Sequence, residues 1–274
     1  MIKVASLRYG VIFKKAFSKP HIFKAFVKDF LDIELEIDKV ETEKSFSPAI
    51  IPLRSITSFG SVDSHFDLFA EDKKHRTIVD IQHVRYPDHY DRFLHYHCAA
   101  LLEQVVSSKD YSPKLNVFTI VVLTSGDKHR VDIATIDFDP KDRHGKAIGE
   151  ISHKILYLCP KYAGDDTPEP YREWLRAIND SLDEEVDEND YQRQEIKEIF
   201  KSIQKDLTTP QEYARMKDEY SAEVLRKNEY SKGIEKGAKE NAEQNAKKML
   251  AKGLDVSLIT EITGLSLGDL KKLI

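Results

Sequence analysis

Apolar side chains recur at helical spacing between residues 8 and 32, where Val11, Ile12, Phe17, Ile22, Phe23, Phe26, Val27 and Phe30 form the buried set of an amphipathic helix. Pro20 splits this segment in two, because proline removes a helical hydrogen bond. Residues 35–40 alternate apolar and charged positions and predict the start of a strand, whereas 41–57, with two prolines and several serines, predict no definite element. From 62 to 84 the period is two. Phe66, Leu68 and Ala70 alternate with His65, Asp67 and Phe69, a polar run follows at 71–76, and 78–82 resumes the pattern, which predicts a β-hairpin. A helix over about 88–107 carries Phe93, Leu94, Tyr96, Ala100, Leu101 and Val105. Residues 117–123 are a continuous β-branched run, as in a strand buried on both faces. Residues 131–138 and 153–158 are further strands. This order of elements predicts a three-layer α/β arrangement around a mixed sheet.

Past Pro160 the pattern becomes helical and charged, with segments at 168–180, 189–207 and 210–229. A charged stretch at 232–240, weakened by two glycines, continues to about residue 252, where Gly253 stops the helix. Asp255 caps a short helix holding Leu258, Ile259 and Ile262. Gly264 ends it, and Ser266 caps a last helix with Asp269 three positions on, as in a capping box. The chain therefore divides into an α/β core at 1–164, a helical extension at 165–230, and a charged helical tail at 231–274 with a helix-turn-helix-like end.

Composition narrows the field of functions. With 274 residues, thirteen Phe, twelve Tyr and 41% hydrophobic residues, the chain has enough apolar material for a true core. A net charge of −5 excludes a polycationic nucleic-acid coat but leaves room for a local basic cleft, because field focusing depends on where charges sit. Two cysteines, Cys98 and Cys159, exclude a disulfide framework and fit a reducing compartment. No run approaches the roughly 20 apolar residues of a membrane helix, and no signal-peptide pattern opens the sequence. The expectation is a soluble, cytoplasmic protein.

The hairpin holds the candidate chemistry. Asp80 and Gln82 are two apart on a strand and leave the same face. A turn centred on Lys73-Lys74 sets Asp67 opposite Asp80, with Cβ atoms roughly 4.5–5.5 Å apart. Two carboxylates so close need a positive partner. Mg²⁺, a hard cation that accepts few protein oxygens and keeps sites for water and phosphate, is the natural candidate, with Mn²⁺ as substitute. Such an ion lowers the pKa of a bound water and neutralises charge building on a phosphate. Gln82 would orient the water or hold a phosphate oxygen, and as a neutral amide it cannot act as a charged acid. Arg92 and Tyr96, one helical turn apart, would support the substrate. Lys14, Lys15, Arg85 and Arg92 would form a basic stripe beside the hairpin. The plainer alternative is an idle pair of solvent-facing aspartates. Six of ten histidines (His65, His75, His83, His89, His95 and His97) fall in this region, but none shows the His-x-x-x-His spacing of zinc ligands, so zinc is set aside. His65 stays a candidate neighbour of Gln82.

These residues resemble the Rpn family of recombination-promoting nucleases, also labelled transposases, of the PD-(D/E)XK nuclease superfamily. Residues 9–17, with Phe13-Lys14-Lys15-Ala16-Phe17, are similar to the family's opening helix. Phe66-Asp67-Leu68 and Val79-Asp80-Ile81-Gln82 are similar to its catalytic strands, and Arg92 with Tyr96 to its Arg-x-x-x-Tyr helix. The Trp174-Leu175 helix and the tail through Thr263-Gly264-Leu265-Ser266 also match its style. The resemblance implies a restriction-endonuclease-like core, Asp67 and Asp80 as metal ligands with the Ile81 carbonyl as a third, and Mg²⁺-dependent DNA endonuclease activity tied to recombination or mobile elements. Gln82 stands where most of the superfamily has lysine. Two departures are Gly10, where the opening helix often carries an acid, and Asp80 in place of Glu. They leave open the alternative of a catalytically inactive DNA-binding or oligomerising relative. In the tail, Lys271 and Lys272 would touch phosphate without specifying sequence. Self-association through Leu258, Ile262, Leu265, Leu270 and Leu273 is the expectation favoured over groove binding.

Overall fold

A computed structural model describes residues 1–46, 64–83, 89–104 and 112–273 of the chain. Its strands are β1 (Ile2–Lys3), β2 (Glu41–Phe46), β3 (Ser64–Glu71), β4 (His75–Gln82), β5 (Asn116–Leu123), β6 (Ile133–Asp137), β7 (Lys154–Leu158) and β8 (Glu185–Val186). The helices are α1 (Gly10–Phe17), α2 (Pro20–Leu31), α3 (His89–Leu102), α4 (Tyr171–Asp180), α5 (Gln194–Ser202), α6 (Pro210–Ala251), α7 (Val256–Thr263) and α8 (Leu267–Lys271).

The result is α/β, with a six-stranded mixed sheet of order β2-β3-β4-β5-β7-β6. Strands β4, β5 and β7 run parallel, and β2, β3 and β6 are antiparallel to their neighbours. This arrangement is consistent with a restriction-endonuclease-like core. β5 is central, as its unbroken apolar run requires: Ile120 and Val122 face one layer, and Val117, Val121 and Leu123 face the other.

One layer holds α1, α2, α4 and α5, with Phe17, Phe26 and Trp174 at its centre. The Trp174 ring packs edge-on against Phe26 at 5.3 Å, and its Nε1–H donates to Asp29 Oδ2 at 2.6 Å. The other layer is α3, whose Phe93, Tyr96 and Ala100 cover Ile78, Val121 and Tyr157. Pro20 occupies the first turn of α2, where its missing N–H costs nothing, so the opening helix does divide there.

Chain organisation departs from the division at 164/165. α4 and α5 bury Trp174, Leu175, Ile196, Ile199 and Phe200 in the same core as α1 and α2, and the chain separates into units 1–216 and 217–274. The amphipathic face that suggested an appended helical extension is thus one side of the core layer. A short ladder between β1 and β8, which sequence periodicity did not reveal, also ties residues 2–3 to 185–186.

Residues 35–40 form no strand. Leu35, Ile37 and Val40 are buried from an irregular segment, so the alternation records burial without a ladder. The helix expected at 88–107 runs over His89–Leu102, and residues 105–107 lie outside the described ones, as do 47–57 and Arg85. The long charged stretch is one helix of 42 residues, continuous through Gly233 and Gly237.

In the second unit α6 ends at Gly253, which takes φ +73°. Asp255 caps α7 by accepting from the Ser257 N–H, and Gly264 closes it at φ +69°. Ser266 caps α8 by accepting from the Asp269 N–H at 3.1 Å. Ala246, Ile259, Leu265 and Leu270 form this unit's core, with Leu273 partly buried against it. Leu265 and Leu270 are therefore spent inside the unit, and of the five residues expected to drive self-association only Leu258 and Ile262 are exposed.

Candidate active site

The hairpin register follows the expected symmetry. Glu71 pairs with Arg76, Phe69 with Ile78 and Leu68 with Val79. Asp72 makes the turn by accepting from the Lys74 and His75 N–H groups, each at 2.7 Å. One step beyond Leu68 and Val79 come Asp67 and Asp80, and there the regular pairing stops. The Ile81 N–H donates to the Asp67 carboxylate, Oδ2, at 3.1 Å. Asp67 thus reaches across to β4 beside Asp80, so the structure brings the two acids together.

The neighbouring strand is irregular on the same row. Thr42 pairs with Leu68 and Lys44 with Phe66, which brackets Glu43 opposite Asp67. Glu43 takes φ +60°, a left-handed conformation that costs a non-glycine residue about 1–2 kcal/mol. Phe66 packs on the α3 side with Phe69, although strand alternation would place it with Leu68, so β3 also changes face around Asp67. Interrupted pairing of this kind re-aims side chains, and such irregularities are common beside active sites. Glu43, Asp67 and Asp80 consequently occupy one row across three adjacent strands.

A cation sits on that row. Lys14, from the last turn of α1, places Nζ 3.0 Å from Glu43 Oε1 and 3.4 Å from Asp67 Oδ1. Burial acts to lower the Lys14 pKa, but the charges of Asp67 and Glu43 outweigh it and the net shift is upward, so the ammonium stays charged. Lys15, its neighbour in sequence, is engaged elsewhere, by Glu212 at 3.0 Å and the Leu207 carbonyl at 2.9 Å. It therefore does not extend a basic stripe.

Asp80 is only 6% exposed. Burial, and next the negative charge of Asp67, hold its carboxyl well above the usual range, against the opposing pull of Arg92, the Asp67 N–H and Lys14. Gln82, two residues on, is buried on the same face of β4, and its Oε1 has no hydrogen-bond partner among the described residues. On α3, the Arg92 Nε–H donates to Tyr96 Oη at 2.9 Å, and the Tyr96 ring packs edge-on against Phe66 at 5.5 Å. Asp67, Asp80, Gln82, Arg92 and Tyr96 thus gather at one end of the hairpin.

Among the described residues no three His, Cys, Asp or Glu side chains form a ready-made metal cage. The donor set is nonetheless of the kind Mg²⁺ uses: one or two carboxylates, with water and phosphate for the rest. The elevated Asp80 carboxyl and the orphaned Gln82 oxygen both fit a group that brings positive charge and donor protons. The histidines go elsewhere. His75 pairs with Asp72 at 3.2 Å, His83 lies 2.8 Å from Thr124 Oγ1, His89 is buried 3.6 Å from Asp127, and His97 lies 2.9 Å from Thr119 Oγ1. The side chain of His65 lies outside the described residues.

Sequence reasoning missed Glu43 and the pairing of Lys14 with Asp67. β2 reads Glu-Thr-Glu-Lys-Ser-Phe, an outermost strand with almost no apolar alternation, so it carries no periodic signal. The fold and site define an α/β protein with a restriction-endonuclease-like core and paired acids on adjacent strands. Residues 239–274 match the model of the Rpn/YhgA-like nuclease family, C-terminal HTH domain. Comparison with curated proteins and with solved structures returns no match. The match covers α7, the turn at Gly264 and α8, in agreement with the helix-turn-helix-like end expected from the sequence. No helix among the described residues is long and apolar enough to cross a membrane.

Proposed function

We propose that this chain is a Mg²⁺-dependent DNA endonuclease whose ion is held by Asp67 and Asp80, with the Ile81 carbonyl as a third ligand. The observation that carries the reading is the Asp80 carboxyl, held up by burial and then by the adjacent Asp67 charge, on strands that interrupt their pairing at that row. Mg²⁺, when bound, supplies activation of a water and neutralisation of phosphate charge. The chain's own residues do the rest. Gln82 offers its unpartnered oxygen to a proton of the attacking water and so aims the water's lone pair at phosphorus. Arg92, held by Tyr96, offers guanidinium donors to a phosphate oxygen. The helix-turn-helix unit supplies DNA affinity. It holds six lysines against five acids over residues 239–274, so it adds little bulk charge and acts through placement. We assign cleavage to unit 1–216 and DNA engagement to the tail, in the recombination or mobile-element setting that the family resemblance implies.

Plasmid nicking with Mg²⁺ tests this reading. Wild type is expected to relax supercoiled DNA and Asp80→Ala to leave it intact, whereas equal cutting by both would remove these acids from the mechanism. A second reading, a silent DNA-binding relative, is favoured by one observation: Lys14 already neutralises part of the Asp67 charge. Calorimetric titration with Mg²⁺ separates the two, because a silent copy need not bind the ion at Asp67 and Asp80.

A further inference from the structure

We propose that Lys14 is the fixed cation of this site, that it contacts a phosphate oxygen of bound DNA beside Asp67, and that Glu43 is the positioning residue that keeps it there. The inference rests on the nuclease reading above. Position 82 is an uncharged glutamine, so β4 provides no cation next to Asp80. Among the described residues the positive charges that act on Asp80 are Arg92, delivered by α3, and Lys14, delivered by α1. An ammonium has three donors. Glu43 and Asp67 engage two of them, at 3.0 and 3.4 Å, and the side chain keeps 17% of its surface open. A donor therefore remains for a substrate oxygen.

Glu43 is placed for this task by an uncommon backbone. Its left-handed φ of +60° sits within a strand, and its carboxylate lies across from Asp67 with Lys14 between them. Arg215 also reaches Glu43 Oε1, at 3.4 Å, which leaves the carboxylate shared between two cations. Glu43 is 59% exposed and buries little, so packing does not explain its conformation. Holding a lysine in register with the acid row does.

The test uses the full chain and four variants: Lys14→Gln, Lys14→Arg, Glu43→Gln and, as control, Asp80→Ala. Thermal melting first establishes that each folds. Three readouts follow: nicking rate with kcat and KM separated, Mg²⁺ affinity by calorimetry, and the salt dependence of duplex binding without Mg²⁺. Lys14→Gln is expected to nick about 30-fold or more slowly, mainly in kcat. It should bind Mg²⁺ as tightly as wild type or several-fold more tightly, since a like charge has left Asp67. Its salt slope for duplex binding should fall by about 0.9, the value of one phosphate contact. Lys14→Arg should restore most of the slope, and Glu43→Gln should fall between wild type and Lys14→Gln in rate. A Lys14→Gln protein that cuts at the wild-type rate overturns the inference while leaving the nuclease reading standing. Loss of Mg²⁺ binding in that variant overturns it as well, by making Lys14 a support of the ion site. If wild type and Asp80→Ala cut alike, the nuclease reading fails. The salt slope then still decides the phosphate contact, and an unchanged slope overturns it.

Discussion

Replacing Asp80 by Asn is expected to stabilise the protein without Mg²⁺ and to abolish its stabilisation by Mg²⁺. Asp80 is buried beside the charged Asp67, and Arg92 and Lys14 do not offset that cost, so its carboxyl is held well above its ordinary range. Asn keeps the shape and removes the charge. Relieving a buried, poorly compensated polar group is worth about 1–3 kcal/mol. In a unit of this size each kcal/mol moves Tm by roughly 2–4 °C, so the variant should melt about 2–12 °C higher near pH 8.

The sign of the pH dependence follows from linkage. Between the ordinary carboxylate range and the raised native value, the folded protein keeps a proton that the unfolded chain has lost, so wild-type stability falls as pH rises through that window. Below it both states are protonated, and the advantage of Asn should vanish toward pH 4. Mg²⁺ at 100 times its Kd should stabilise wild type by about 2.7 kcal/mol and the variant hardly at all, which offsets most or all of the variant's advantage. Circular-dichroism melts from pH 4 to 8, with and without Mg²⁺, provide the assay. An Asp80→Asn protein that melts below wild type at pH 8 without Mg²⁺, or that gains as much from Mg²⁺, would refute the electrostatic account.

Three further outcomes are expected. His97 is fully buried, and burial, then the nearby His153, pushes its pKa down to about 3, so wild-type stability should decline as pH falls from about 6.5 toward 3. Melting of His97→Gln over that range should show a slope shallower by up to about 1.4 kcal/mol per pH unit. Trp174→Ala should cost about 3–5 kcal/mol in urea unfolding, because it removes a fully buried indole and its hydrogen bond to Asp29. A loss under 1 kcal/mol would detach α4 from the core. A chain ending at residue 238 should keep the melting transition of unit 1–216 and lose at least tenfold in duplex affinity by fluorescence anisotropy, since it lacks the helix-turn-helix segment.

Much of the fold was legible because burial imposes period. The phenylalanines of α1 and α2, the unbroken β5 run and the caps at Gly253, Asp255, Gly264 and Ser266 each carry a local signature that the structure honours. The hairpin register was readable for the same reason, since the turn at Asp72 fixes every pair back to Leu68. What failed was nonlocal. Leu35 and Ile37 alternate like a strand because they fill the core, but no strand among the described residues pairs with them. α4 and α5 read as an appendage because sequence order places them after the sheet, although in space they lie against α2. Within the site, Asp67, Asp80 and Gln82 followed from strand geometry. Glu43 did not, since a polar outermost strand with a left-handed residue has no periodic pattern to detect.

The ladder between Ile2–Lys3 and Glu185–Val186, together with the packing of Trp174 on Phe17 and Phe26, constrains how the protein is made. Phe13, Phe17, Phe23 and Phe26 leave the ribosome before the helices that cover them, which come more than 140 residues later. At about 5–20 residues per second, a nascent chain carries that aromatic surface uncovered for roughly 7–30 s. A chain that stops between α3 and α4 keeps those rings but lacks Trp174, Leu175, Ile196, Ile199 and Phe200, the side chains that complete their core.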